Sequence, residues 1–191
     1  MIASLPMYDT AATRDANDRL WDAIRTYLGR GPQHLERDTD PHVQWLQPDL
    51  LLSQTCGLPY RTELLGKIRL VGTPDYGVEG CPAGYYRSCV VVRQDDPRRS
   101  LEEFNSAILA RNDIRSQSGW AAIEAEAASC PAPFTFSQNV LDTGAHAASA
   151  EAVATGKADV AAIDAVTWAL LTRDTDGAKG LRVLADRKSV V

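Results

Sequence analysis

The sequence predicts an α/β fold built on largely parallel sheets, and three observations lead to it. The chain has 191 residues, of which 45% are hydrophobic and 24% charged, a composition typical of globular domains. Apolar runs typical of strands alternate with segments typical of helices along the whole chain. Residues 88–92, Ser-Cys-Val-Val-Val, form a continuous apolar run. Such a run is typical of a strand buried on both faces, in a parallel or mixed sheet covered by helices.

The first half of the chain begins with a predicted strand and a predicted helix. Residues 2–7 are a short, largely apolar run, and Asp9-Thr10 follow it as a helix start signal. Gly29 is predicted to end the helix. Its apolar stripe recurs at helical spacing and consists of Leu20, Trp21, Ile24, Tyr27 and Leu28. Further strands are predicted at 50–53 and 68–71, with a short helix at 60–65 between them.

The second half alternates more regularly between the two kinds of element. Ser100 and Glu103 have the spacing of a capping box, which predicts a helix start at residue 100. Helices are predicted at 120–128, 147–155 and 165–171. Strands are predicted at 88–92, 134–140, 160–163 and 181–184.

Charge and cysteine content exclude several classes of function. The net charge is −5 and there is no run of Lys or Arg, which disfavours a nucleic-acid partner. No apolar stretch approaches the roughly 18–20 residues of a membrane span. The four cysteines lack CxxC spacing and there are three histidines, so the sequence predicts no metal and no cofactor. Free thiols are the favoured state of Cys56 and Cys81, with a disulfide as the alternative if the protein is exported.

Three short polar segments stand directly before predicted helices. They contain Ser116 to Gly119, His146 and Asp164. The amino end of a helix offers unpaired N–H groups and a partial positive charge, which suits an oxyanion. The alternatives are that Ser118 and Asp164 are only helix caps, and that His146 is a surface or packing residue. Tyr86 is more often a core or rim residue in such a position.

Taken in order, several segments resemble one family, the phosphate, phosphite and phosphonate substrate-binding proteins of ABC transporters. The resemblance is carried by residues 86–93, 100–104, 116–119 and, most specifically, 143–164, and it extends over roughly residues 1–185. It implies a type 2 periplasmic-binding-protein fold. In that fold two α/β lobes with mixed, mostly parallel sheets are joined by crossing strands, and the ligand lies in a cleft between them.

The resemblance also implies the ligand-binding residues, which are Ser116, Gln117, Ser118, Gly119, His146, Tyr86 and Asp164. The serine hydroxyls and the Gly119 backbone would hold phosphono oxygens, and His146 would donate a hydrogen bond. Tyr86 would line the cleft, and Asp164 would face a cationic or hydroxyl part of the ligand. Gln117 stands where family members often have Thr, so the central hydroxyl contact is changed.

The same resemblance suggests a division of the chain into 1–86 as lobe 1, 87–180 as lobe 2, and 181–191 as the start of a return strand plus a tail. The fold class then has an incomplete first lobe, because the expected return to that lobe is missing. Residues 186–191 do not resemble the family and match what a common sequencing adapter would encode. We therefore expect a truncated chain with an artefactual tail; the alternative is a natural divergent terminus.

A periplasmic location is implied by the family resemblance alone, since the sequence opens without a signal peptide. A cytoplasmic location is the alternative.

The function predicted from these observations is non-enzymatic. The protein would bind a small phosphorus oxyanion (phosphonate, phosphite or phosphate) and deliver it to an ABC permease, without inserting into the membrane. One alternative is an enzyme on the same fold acting on a small anionic metabolite, with His146 and Asp164 as its acid/base pair. The other is a cytoplasmic ligand-sensing domain.

Overall fold

The computed structural model describes residues 1–187, and the chain divides into two compact units, Met1–Val71 and Gly72–Val191. Among the described residues, no helix combines the length and the apolar character needed to cross a membrane.

The helices are α1 (Arg14–Leu28), α2 (Pro41–Gln44), α3 (Gly57–Pro59), α4 (Ala122–Ala128), α5 (His146–Ala154) and α6 (Ala165–Asp174). The strands are β1 (Ile2–Ala3), β2 (Leu50–Leu52), β3 (Ser88–Arg93), β4 (Leu109–Arg111), β5 (Val140–Asp142), β6 (Val160–Asp164) and β7 (Leu181–Arg187). Single 3-10 turns occur at Pro6–Tyr8 and Leu101–Phe104, and π-helical turns at Tyr60–Leu64 and Gln117–Ala121.

The first unit is a small parallel β-pair covered by α1. β1 pairs with β2, and Trp21 of α1 packs into the cluster beside them at 1% exposure. The Trp21 Nε1–H donates to the Pro32 carbonyl at 3.0 Å, which satisfies its one polar atom. Gly29 ends α1 with φ of +65°, confirming the predicted end. The predicted apolar stripe is only partly buried, since Tyr27 is 92% exposed.

The second unit contains a five-stranded mixed sheet in the order β5-β4-β6-β3-β7. β5, β4 and β6 are parallel to one another, whereas β3 is antiparallel to both β6 and β7. Cys89 and Val91 point into one apolar cluster, and Val90 and Val92 into another. The structure therefore confirms that this strand is buried on both faces, and shows that its neighbours run antiparallel to it.

One predicted helix and two predicted strands are wrong. The helix predicted to start at residue 100 is a single 3-10 turn that ends at Phe104, and the chain then enters strand β4 at Leu109. Residues 68–71 form no strand, and Leu70 and Val71 are 55% and 82% exposed. Residues 134–139 form none either, and strand β5 begins only at Val140. The reason is that the N–H groups of Phe134 and Phe136 donate to the Ala127 carbonyl and the Glu124 carboxylate of α4. Their backbone therefore bonds to a helix instead of a strand.

The last described strand belongs to the second unit. β7 pairs with β3 along Leu181–Arg187, starting from the point where the sequence predicts a return strand. Of the predicted tail, residues 188–191 lie outside the described residues. Within the described part of the chain, none of the four cysteines, including Cys56 and Cys81, forms a disulfide.

An ion-pair cluster closes the end of the sheet where β3 finishes and β6 starts. Asp96 is buried and accepts two side-chain hydrogen bonds from Arg98, at 2.6 and 3.0 Å. Arg98 also bonds Asp159, whose second oxygen accepts from the Ile108 N–H. The Arg98 hydrogen bonds lower the pKa of Asp96 to about 2, against the opposing effect of burial.

We predict that Asp96→Asn lowers the free energy of unfolding at pH 7 by on the order of 2 kcal/mol. The folded-state pKa is depressed, so this stabilisation is present above about pH 4 and is lost as the pH falls toward 2. Urea unfolding at pH 7 and pH 3 measures both effects. The exposed neighbour Asp95 supplies the control Asp95→Asn. Equal acid sensitivity in wild type and Asp96→Asn would contradict the prediction.

Candidate functional site

The predicted site residues of the second unit lie at one edge of its sheet. The parallel strands β4, β5 and β6 end at the same edge, and each is followed by the start of a helical segment. β3 runs the other way, so its first residue, Ser88, pairs with Asp164 at the end of β6. In open α/β sheets this carboxyl edge is where ligands bind.

Three residues from separate segments meet at this edge: Ser118, His146 and Asp164. Oγ of Ser118 lies 3.0 Å from Nε2 of His146, and the same nitrogen lies 3.4 Å from Oδ2 of Asp164. The side chains of His146 and Asp164 are only 13% and 5% exposed. The structure therefore brings together three of the residues that the sequence singles out.

Asp164 is a helix cap as well as a neighbour of His146. Its Oδ1 accepts from the Thr167 N–H at 2.9 Å, which caps α6. Its Oδ2 accepts from the Thr167 hydroxyl at 2.5 Å. These donors stabilise a carboxylate in a buried position, where an unpaired charge would be costly.

The two serines of the loop after β4 differ in role. Oγ of Ser116 accepts from the Gly119 N–H at 2.9 Å and so caps the π-helical turn. The cap expected as the alternative for Ser118 therefore belongs to Ser116. The Ser118 carbonyl accepts from the Ser88 hydroxyl at 2.9 Å, which ties the loop to β3. With its backbone held there, Ser118 presents its own hydroxyl to His146.

A side chain at Gly119 would displace that of Asn112. A Cβ on Gly119 would lie 1.8 Å from Oδ1 of Asn112 and 3.0 Å from Cε1 of His146. The sequence suggests that this glycine lets a ligand approach the backbone. In the structure, the space beside it is taken by the Asn112 side chain.

Burial lowers the pKa of His146, although the nearby Asp164 carboxylate and the Ala162 carbonyl act in the opposite direction. The ring is therefore neutral at neutral pH. Burial and the charge of Asp164 together raise the pKa of Tyr76 to about 12, so its hydroxyl remains protonated. The Asp164 carboxylate thus acts electrostatically on the Tyr76 hydroxyl.

The remaining predicted residues are close in sequence to the residues of this edge. Gln117 is buried as the first residue of the π-helical turn, and Tyr86 is half-buried two residues before β3. Sequence reasoning includes Asn112 in the polar segment before the predicted helix at 120–128 but gives it no role, and it misses Thr167 and Tyr76. Thr167 stands three residues after Asp164, a capping spacing that could have revealed it. No periodic pattern in the loop at 73–84 identifies Tyr76.

The arrangement offers hydrogen-bond donors at an edge where helices begin. The hydroxyl of Ser118 and the ring of His146 are side-chain donors, and α5 begins at His146 with no side-chain cap on its N–H groups. Within residues 1–187, no group of three or more His, Cys, Asp or Glu side chains is placed to hold a metal ion. The edge therefore presents neutral donors and a helix terminus beside the Asp164 carboxylate.

Comparison with known proteins gives a family match over residues 67–190. The matching family model is that of the periplasmic substrate-binding protein of the phosphonate ABC transporter. No curated protein matches the chain significantly.

Comparison with solved structures adds two periplasmic binding proteins to which the chain is similar. PhnD1 from Prochlorococcus marinus, solved with methylphosphonate, is 16% identical with a TM-score of 0.50, over 56% of this chain and 43% of that one. A binding protein component of an ABC phosphonate transporter from Pseudomonas aeruginosa is 23% identical with a TM-score of 0.44, over 56% of this chain and 37% of that one. The chain thus spans less than half the length of these structures. The likeness to PhnD1 confirms the predicted periplasmic-binding-protein fold class.

We predict that Gly119→Ala lowers the free energy of unfolding by about 1–3 kcal/mol, because the new methyl group overlaps Asn112. The ring resonances of His146 should shift as well, since its Cε1 also faces that methyl group. Urea unfolding and NMR of the histidine rings measure the two effects. Gly72→Ala is the matched control, because a Cβ there meets nothing within 4 Å. Equal stability of the two variants would contradict the prediction.

Proposed function

Since the chain belongs to the family of periplasmic substrate-binding proteins of phosphonate ABC transporters, we propose that it binds a small phosphorus oxyanion at the Ser118–His146–Asp164 edge and delivers it to an ABC permease. The ligand class is phosphonate, phosphite or phosphate. Methylphosphonate, the ligand of PhnD1, is the first compound to test. Delivery to a permease implies a periplasmic location for the working protein.

The observation that carries the proposal is the meeting of Ser118 and His146 beside the uncapped start of α5. An oxyanion there accepts hydrogen bonds from the Ser118 hydroxyl, the His146 ring and backbone N–H groups. The Ser116 oxygen is occupied as an acceptor by Gly119, but its hydroxyl hydrogen is free to donate to the ligand. Gln117 and Tyr86 would line the same site.

Asp164 sets the electrostatics of binding. Its carboxylate repels an anion, yet Nε2 of His146 lies beside it at 3.4 Å. A proton taken up by the His146 ring would place a positive charge between the carboxylate and the bound anion. Ligand binding and protonation of His146 are therefore coupled in this proposal.

We further propose that the site binds without catalysing a reaction. The enzyme alternative needs His146 and Asp164 as a positioned acid/base pair, and these residues do lie together. In a nucleophile–base–acid arrangement, however, the serine and the carboxylate contact opposite nitrogens of the imidazole. Here both contact Nε2, so the carboxylate does not orient the ring for proton abstraction from the serine.

We predict that replacing Ser116 and Ser118 together by Ala weakens methylphosphonate binding by about two to four orders of magnitude, because each of the two lost hydrogen bonds to a charged group contributes about 1.5–3 kcal/mol. Isothermal titration calorimetry measures the affinity, after a thermal-shift screen of phosphate, phosphite, sulfate and alkylphosphonates. Ser129→Ala is the control, since its hydroxyl only donates to the Ala125 carbonyl at the end of α4. Unchanged affinity in the double variant would remove both serines from the site.

We also predict that binding of dianionic methylphosphonate takes up protons near neutral pH. The dianion raises the pKa of His146 in the complex, so affinity falls as the pH rises through that raised value. Calorimetry in buffers of different ionisation enthalpy measures the uptake. The monomethyl ester, with one permanent charge, separates this effect from the ligand's own ionisation. His146→Gln keeps a donor and should abolish the uptake; equal uptake in both proteins would exclude His146 as its source.

A further inference from the structure

Two buried polar atoms near the site lack a hydrogen-bond partner among the described residues. They are Oδ1 of Asn112 and Nδ1 of His146. Both belong to side chains that converge on Gly119. The Cβ position of Gly119 lies 1.8 Å from Oδ1 of Asn112 and 3.0 Å from Cε1 of His146, the ring carbon bonded to Nδ1. A buried polar group left unpaired is costly, so two such groups at one place point to an interaction between them.

The surroundings of Nε2 determine which nitrogen of His146 carries the proton. Nε2 faces Oδ2 of Asp164 at 3.4 Å, and an ionised carboxylate only accepts hydrogen bonds. A bare Nε2 lone pair would be repelled there, so the proton of the neutral ring belongs on Nε2. Nδ1 is then an acceptor that needs a donor.

Asn112 can supply that donor. A half-turn about its Cβ–Cγ bond exchanges Oδ1 and Nδ2 and moves no other heavy atom. The amino group then occupies the buried position against Gly119 and His146. Asn112 follows β4 and His146 follows the neighbouring β5, so the two residues are held on adjacent strands of the same edge.

We propose that Asn112 is a positioning residue, which donates a hydrogen bond from Nδ2 to Nδ1 of His146 and so holds the ring in the Nε2-protonated tautomer. The Nε2–H group then points to the Ser118 and Asp164 side, where the oxyanion is proposed to bind. Because Nε2–H can donate to the Ser118 oxygen, the Ser118 hydroxyl hydrogen is left for another acceptor. The tautomer of one ring thus orients two donors.

NMR of the ¹⁵N-labelled full chain without added ligand tests this proposal independently of the proposed function. The chain has three histidines, and His146→Gln assigns the ring of interest. The wild type should show the Nε2-protonated form. Asn112→Leu has a similar size and no donor, so it should give a mixture of tautomers.

Asn112→Asp gives the sharper test, because a carboxylate beside Nδ1 can only accept. It should draw a second proton onto the ring and raise the titration midpoint of His146 by about 1–3 pH units. The other groups acting on this ring, the Asp164 carboxylate and the Ala162 carbonyl, are unchanged in the variant. Asn105→Asp, at an exposed position, is the control for added charge.

Two results would overturn the proposal. One is an Nδ1-protonated ring in the wild type, a measurement that needs no variant to fold. The other is a folded Asn112→Asp or Asn112→Leu protein whose His146 spectrum and titration match those of the wild type.

Discussion

The common ending of three parallel strands at one edge is the constraint on which the candidate site depends. Ser118, His146 and Asp164 are far apart in sequence; Ser118 follows β4, His146 follows β5, and Asp164 is the last residue of β6. The hydrogen-bonded register fixes where each strand ends, so the residues just beyond the strands have little freedom to separate. The antiparallel β3 adds Ser88 to the same edge and ties the loop of Ser118 down.

Much of this could be predicted from the sequence because strand ends and helix starts have local signals. The buried run at 88–92, the capping box at Ser100 and the polar residues before α5 and α6 depend mainly on neighbours in the chain. The strand at 88–92 and the helices α5 and α6 are present in the structure, whereas the capping box at Ser100 starts only a single 3-10 turn. The family resemblance, carried by the same segments, is confirmed by the family match.

The rest depended on tertiary contacts that no local pattern encodes. Whether Ser116 or Ser118 faces His146 is decided by the π-helical turn, which rotates successive side chains away from one another. The close approach of Asn112 to Gly119 joins two parts of one loop and can be seen only in space. Phe134 and Phe136 alternate like a strand, yet their N–H groups bond to α4. The seven ligand-binding residues implied by the resemblance remain a prediction until binding is measured.

The two ends of β3 differ in how completely their charges are satisfied. At the Arg93 end, Arg98 forms ion pairs with both Asp96 and Asp159. At the Ser88 end, the Asp164 carboxylate lies beside the neutral ring of His146, which can still gain a proton. Strand β3 has six residues and its first and last residues are five steps apart, which is roughly 16 Å at about 3.3 Å per residue. This distance is beyond the range at which substitutions usually couple. Substitutions that change ligand preference at the Ser88 end should therefore show little epistasis with substitutions that change stability at the Arg93 end. Ligand specificity can then diversify while the scaffold stays constant.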